Sequence, residues 1–150
     1  MYLQTLYAGW GDMDYNRHMR NTAYLDKSGD VRMMYFAENG FAMADFAALN
    51  IGPVVMKDEV EYFREVGLME SIKVGFMAAG LSDDGSRFRI RNVFMRSDDK
   101  IIATVTSTGG WLNLAQRKLI VPPSSLVQAM QKLTRTDDFA VLPSSIKDKV

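Results

Sequence analysis

Asp14, Asn16, His18 and Asn21 crowd into one short stretch, Gly11-Asp12-Met13-Asp14-Tyr15-Asn16-Arg17-His18-Met19-Arg20-Asn21-Thr22-Ala23-Tyr24, and His18 is the sole histidine of the chain. Asp and Asn side chains bond back to the local backbone and so build turns. A carboxylate such as Asp14, set just ahead of a helix, can do more. It can take a proton from water as a general base or attack a carbonyl carbon as a nucleophile. The first N–H groups of the helix, at the positive end of its dipole, can hold the charge that develops on a carbonyl oxygen. Asn16 and His18 can orient the water or the carboxylate. Asp12 reads as a turn residue, and Asn21 or Thr22 as the helix N-cap.

A strand and a helix must hold this stretch between them. Residues 2–10 read as the strand, with Leu3, Thr5 and Tyr7 on one face and Tyr2, Gln4 and Leu6 on the other. From Thr22 to Asn39 the period becomes helical, with Leu25, Ser28, Arg32, Tyr35 and Phe36 along one side and Gly40 as the stop. Gly29 inside that helix costs about 1 kcal/mol against alanine. It is expected to mark close packing against a neighbouring backbone. A short second helix is expected over 42–49.

Four strand-like runs follow, over 54–66, 71–81, 88–94 and 101–112. Ile72, Val74, Phe76 and Ala78 share one face of the second run. Ser82-Asp83-Asp84-Gly85 is a hairpin turn between the second and third. In the third, Arg87, Arg89 and Arg91 lie on one face and Phe88, Ile90 and Asn92 on the other, with a slip at Val93-Phe94 that predicts a bulge or two buried faces. Gly109-Gly110 predicts a kink before Trp111. Residues 117–121 return to the sheet, and a helix capped by Ser124 or Ser125 runs to about residue 133. Residues 134–150 form a polar tail with one apolar patch at 139–142, mobile or laid on the surface. One strand, a long helix, then hairpin-joined strands make an α+β domain over 1–150. The long helix is expected to pack on an antiparallel sheet of five strands or slightly more.

The 150 residues suit one domain, and 47% hydrophobic residues suffice for a real core. The 18 basic and 18 acidic residues cancel, which gives no electrostatic pull toward nucleic acid. The lack of cysteine excludes disulfides, cysteine nucleophiles and thiolate metal sites, and with a single histidine no metal centre is expected. There is no G-x-S-x-G elbow, P-loop or G-x-G-x-x-G turn after a strand, and no cofactor is expected. No apolar run approaches the ~20 residues of a membrane span. The first residues lack the basic and apolar regions of a signal peptide, so a cytoplasmic protein is expected.

Asp14-x-x-x-His18-Met19-Arg20-Asn21-x-x-Tyr24 resembles the D-x-x-x-H-V-N-N-x-x-Y signature of hotdog-fold acyl thioesterases, which include the 4-hydroxybenzoyl-CoA thioesterase group. Asp14, Asn16 and His18 also match the D-x-N-x-H core of the plant acyl-carrier-protein thioesterases. Met19 stands for Val, and Arg20 for the first Asn of the pair, where it can act as a cation at the mouth of the site. Tyr62-Phe63-Arg64-Glu65-Val66 and Arg117 ahead of Pro122-Pro123 resemble later landmarks of that family. The resemblance implies an acyl-CoA thioesterase that hydrolyses a small or medium acyl thioester to free acid and CoA. It implies a homodimer or homotetramer, with the site between the helix start of one chain and its partner. Asp14, His18, Asn21 and Asn16 are then the catalytic group, with Asp14 as base or nucleophile. Tyr24, Met56 and Tyr62 become pocket walls, the last two reaching the site from the partner chain.

Arg87, Arg89 and Arg91 can take the phosphates of coenzyme A, or can form a solvated sheet face or a subunit contact. The methionines suit an adaptable acyl pocket or simply the core. Two other readings stand beside hydrolysis. A hotdog hydratase or dehydratase would carry D-x-N-P-x-H, whose proline this chain lacks. A non-catalytic acyl-CoA-binding domain would keep the fold and bind without turnover.

Overall fold

Alternation along the strands decides which face of the sheet is buried, and the computed structural model, which describes residues 1–147, follows it closely. In chain order the elements are β1 (Tyr2–Tyr7), α1 (Asn21–Glu38), α2 (Met43–Leu49), β2 (Ile51–Tyr62), β3 (Ser71–Ser82), β4 (Arg87–Met95), β5 (Ile101–Asn113), β6 (Lys118–Ile120), α3 (Ser124–Gln131) and β7 (Arg135–Leu142). The main sheet runs β1-β3-β4-β5-β2, with every neighbouring pair antiparallel. β6 adds antiparallel to β5, and β7 adds parallel to β3 beyond the end of β1. Among the described residues the sheet therefore has seven strands.

α1 covers one face. Ile72, Val74, Phe76 and Ala78 of β3 are all fully buried. Tyr35 and Phe36 of α1 meet Phe76 edge to face, and Phe36 also meets Trp111, contacts that add to the burial of apolar area. Tyr35 Oη donates to Ala129 O at 2.6 Å and ties α1 to α3.

Several local expectations need correction. On β4 the inward alternation of Phe88, Ile90, Asn92 and Phe94 runs unbroken, so nothing slips at Val93-Phe94. Asn92 is a polar residue in an inward position, bonded to Gly75 O. The bulge against β5 falls one pair later, between Phe94 and Met95. β5 continues unbroken through Gly109 and Gly110. A Cβ on Gly109 would overlap Val54 O, so glycine is required there for close approach of β2. Gly29 is the opposite case, because a Cβ there meets nothing within 4 Å. The cap position of α3 is Pro123 rather than a serine.

The tail is largely a strand. Within it Arg135 and residues 140–142 pair with β3, while residues 148–150 lie outside the described residues. Polar contacts hold it. Asp138 accepts a fork from Arg91 at 2.9 and 3.0 Å and a further bond from Arg89 at 3.3 Å. Ser144 Oγ donates to Asp84 at the β3–β4 turn. The bonds from Arg91, with Thr136 and Arg89 adding, hold the Asp138 carboxyl well below the usual range. Burial works to raise Asp84, but the hydroxyls of Ser144, Ser86 and Ser82 and the Ser86 N–H outweigh it and hold it low as well. A carboxyl depressed by folding stabilises the fold above its unfolded pKa of about 4 and loses that contribution as pH falls through its folded value. The fastening of β7 is therefore expected to fail first in acid. In hydrogen exchange measured as pH falls below about 4, β7 amides should lose protection while those of β3 to β5 keep theirs. Simultaneous loss across the sheet would contradict this.

Candidate active site

Beyond β1 the chain makes a single 3-10 turn at Trp10–Asp12, and Met13 then pairs with Met19 as an isolated antiparallel bridge. The bridge closes a tight loop over Asp14–His18. Asp14 N–H donates to His18 O at 2.9 Å, Arg17 N–H to Asp14 O at 3.2 Å, and Arg17 adopts a left-handed φ of 64°. The Asp14 carboxylate is part of this loop. Its Oδ1 accepts the N–H of Asn16 at 2.8 Å and that of His18 at 3.2 Å, the Asx pattern expected of a short acidic side chain in a turn. Oδ2 has no partner among the described residues. Met19 is 4% exposed and anchors the loop in the core, and its N–H donates to Val66 O at 2.7 Å.

Asp12 fastens the loop to the helix, consistent with a turn residue. It accepts from Gly9 N–H at 2.8 Å and pairs with Lys27 of α1 at 3.0 Å. Burial pushes its carboxyl up, but those two partners and the charge of Arg20 outweigh burial and leave it below the ordinary value.

The helix begins differently from the expected Asn21 or Thr22 cap. Arg20 occupies the cap position with extended backbone (φ −68°, ψ 154°), and Asn21 is already helical. No side chain caps the helix. Among the described residues no acceptor meets the N–H groups of Asn21 and Thr22, which leaves two donors at the positive end of an 18-residue helix. Arg20 folds back on the loop instead. Its Nε donates to Thr22 Oγ1 at 2.8 Å, Nη1 to Gly11 O, and Nη2 lies 3.6 Å from Asp26.

His18 meets Asp14 through its backbone amide, while its imidazole Nε2 pairs with Glu65 Oε2 at 2.9 Å. Glu65 escaped notice as a site residue. It belongs to the Tyr62–Val66 run, but only the pairing of Met19 with Val66 brings that run beside the loop. Tyr24 is 2% exposed and packs edge-on against Phe94 and Tyr62. Burial, with the nearby Tyr62, Glu70, Asp14 and Glu65, pushes its hydroxyl up to about 12. Tyr62 of the same protomer reaches the helix start, its Oη donating to Asn21 O at 3.3 Å. Trp10, Met13, Asp14, Tyr15, Arg17, Arg20 and Leu68 line an open basin of about 940 Å³. Trp10 and Tyr15 stand almost fully in solvent. Asn16 sits in the exposed part of the loop.

Such a basin offers a carboxylate with one free oxygen, two guanidinium groups and, at the adjoining helix start, two unused amides. Residues 8–132 match the model of the thioesterase-like superfamily. The chain belongs to that superfamily. Solved structures agree on the hotdog fold. A gentisyl-coenzyme A thioesterase superposes with a TM-score of 0.75 at 17% identity, covering 85% of this chain and 98% of its own. A hypothetical protein of Staphylococcus aureus, solved in complex with CoA, gives 0.80 at 17% identity, covering 99% and 94%. A 1,4-dihydroxy-2-naphthoyl-CoA thioesterase from Synechocystis gives 0.78 at 10% identity, covering 88% and 96%. No curated relative matches the sequence.

The remaining candidate residues of this thioesterase-like chain lie apart from the Asp14 loop. Arg89 and Arg91 are already engaged by Asp138, and Arg91 Nε also donates to Thr106 Oγ1 at 2.8 Å. Alternation places them and Arg87 on the sheet face opposite α1, so within one protomer the stripe is largely a fastening for β7. Met56 sits at a register shift of β2 between Val55 and Lys57 and is 58% exposed. No helix among the described residues is long and apolar enough to cross a membrane.

Proposed function

We propose that the protein is an acyl-CoA thioesterase, hydrolysing a small or medium acyl thioester to free acid and CoA. The observation that carries this reading is the free Oδ2 of Asp14, held in a hydrogen-bonded loop directly ahead of a helix whose first two amides are unused. The thioester carbonyl oxygen turns toward the Asn21 and Thr22 amides, which hold the negative charge of the tetrahedral state. Asp14 either activates a water or attacks the carbonyl carbon directly to form a mixed anhydride, which water then hydrolyses to release the free acid and restore the carboxylate. In both routes the thiolate of CoA leaves without strong acid assistance. Asn16 and His18 act on the same water or carboxylate from the loop, and the pairing with Glu65 orients the imidazole. Arg17 and Arg20, with the exposed rings of Trp10 and Tyr15, suit the phosphates and base of CoA at the rim.

The CoA complex and the CoA thioesterases among its structural neighbours support the carrier. The outer edge of β2, twelve residues long and bonded among the described residues to β5 alone, favours a homodimer or homotetramer in which a second copy brings Met56 toward the site. Release of free thiol from a panel of acyl-CoAs tests the reading, with enoyl-CoA hydration and CoA binding measured in parallel. Turnover of an acyl-CoA that depends on Asp14 is expected. Hydration without hydrolysis, or tight binding without turnover, would overturn it. Sedimentation equilibrium checks the assembly.

A further inference from the structure

A second cavity, of about 500 Å³, lies between α1, α2 and the first half of β2. Its walls are apolar side chains such as Met33, Phe46, Val55 and Ile90, and among the described residues Arg32 is the one charged or hydrogen-bonding side chain that lines it. A guanidinium in an apolar wall is costly to desolvate and persists only with partners. Arg32 Nε donates to Asn92 Oδ1 at 2.8 Å and Nη2 to Ser107 Oγ at 2.8 Å. Ser107 in turn donates to Asp58, so the charge of Arg32 is answered through a hydroxyl relay. Both direct partners stand on the sheet, which fixes the plane of the guanidinium. Nη1 alone has no acceptor among the described residues, and it is not one of the fully buried polar atoms.

Gly29 is the second observation. It lines the same cavity one turn before Arg32, inside a helix it weakens by about 1 kcal/mol relative to alanine. A Cβ there would meet nothing within 4 Å. Packing therefore does not require glycine at this position. Its missing side chain instead enlarges the cavity that Arg32 also lines.

We propose that this cavity receives the distal part of an apolar acyl group carrying one neutral oxygen, a hydroxyl or carbonyl, and that Arg32 Nη1 donates to that oxygen. The assignment of the occupant as an acyl group rests on the thioesterase reading above. A carboxylate is disfavoured for two reasons. The fork of Nε and Nη2 that would grip it is spent on Asn92 and Ser107, and Asp58 already supplies the counter-charge. The oxygen belongs far from the thioester. Gly29 and Arg32 lie eight and eleven residues beyond Asn21, about 12 and 16 Å along the helix axis.

Three matched acids test this: dodecanoate, its β-hydroxy and its ω-hydroxy derivative. Each is titrated calorimetrically as the free acid, and each is assayed as its CoA thioester, with wild type, Arg32→Met, Arg32→Lys and Gly29→Leu. Wild type is expected to favour the ω-hydroxy compound roughly tenfold over the plain chain, as one bond to a charged donor allows. The β-hydroxy compound should gain nothing. Arg32→Met should erase the preference while still binding the plain chain, and Arg32→Lys should reduce it. Gly29→Leu, checked for intact helix by circular dichroism, should weaken all three by filling the cavity, and it carries the test if Arg32→Met does not fold. No ω-preference in wild type, a preference unchanged in the Arg32 variants, or unimpaired binding to Gly29→Leu would overturn the proposal. Free-acid discrimination without hydrolysis would sink the thioesterase reading and leave the cavity assignment standing. Hydrolysis without discrimination would do the reverse.

Discussion

Asp14→Asn is expected to lower kcat/KM toward acyl-CoA by about a hundredfold to ten-thousandfold, the range in which a positioned general base acts, with little change in Tm. The isosteric change is informative because the carboxylate has two tasks on its two oxygens. Oδ1 holds the Asn16 and His18 amides and shapes the loop. An asparagine oxygen can accept the same two bonds, so the loop should persist. Oδ2 is the free atom that would take the proton or attack the carbonyl, and an amide nitrogen can do neither. Asp14→Ala removes both tasks. It should abolish activity at least as fully and also loosen the 14–18 loop, seen as faster amide exchange at Asn16 and His18. Steady-state thiol release and calorimetry on the two variants separate the roles. An Asn variant of undiminished turnover would remove Asp14 from the chemistry.

The second large effect concerns stability. Gly109→Ala is expected to destabilise the protein by about 3 kcal/mol or more, read as a lower urea midpoint at unchanged slope. Gly109 pairs with Val55 on one side and Phe88 on the other. A methyl group there would overlap Val54 O and come 2.9 Å from its carbonyl carbon and 3.1 Å from Phe88 Cζ. Backbone cannot swing aside as the end of a lysine can, so β2 must shift away from β5. β2 carries Val55, Asp58 and Tyr62, which reach the cavity wall, the Arg32 relay and the helix start. Activity should therefore fall with stability. A variant as stable as wild type would show that β2 and β5 do not approach so closely.

Much of this architecture was legible in the residues. The alternation of Ile72, Val74, Phe76 and Ala78 marked the buried face of β3 correctly, and Ser82-Asp83-Asp84-Gly85 marked its turn. The spacing from Asp14 to Tyr24 pointed to the loop and to the family. β7 was only partly legible, because the apolar run at 140–142 that pairs with β3 is short and the rest of the strand is fastened by charges. Asp138 reads as a solvated residue until Arg89 and Arg91 are found beside it. Asn92 was read as part of an imperfect pattern because the residue that satisfies it, Arg32, lies sixty positions away. Gly29 was expected to relieve crowding and instead borders open space.

Period, turn chemistry and the acidic loop ahead of a helix were set by neighbours in the chain, since side-chain direction repeats every two residues in a strand and every 3.6 in a helix. Those repeats act over a few residues and need no knowledge of the rest. Tertiary structure alone decided that His18 turns to Glu65, that Arg32 is clamped by Asn92 and Ser107 with one nitrogen left over, and that Gly109 must lack a side chain. Each of these depends on which strands become neighbours and in what register, and a shift of one residue would turn Asn92 and Ser107 to the other face of the sheet.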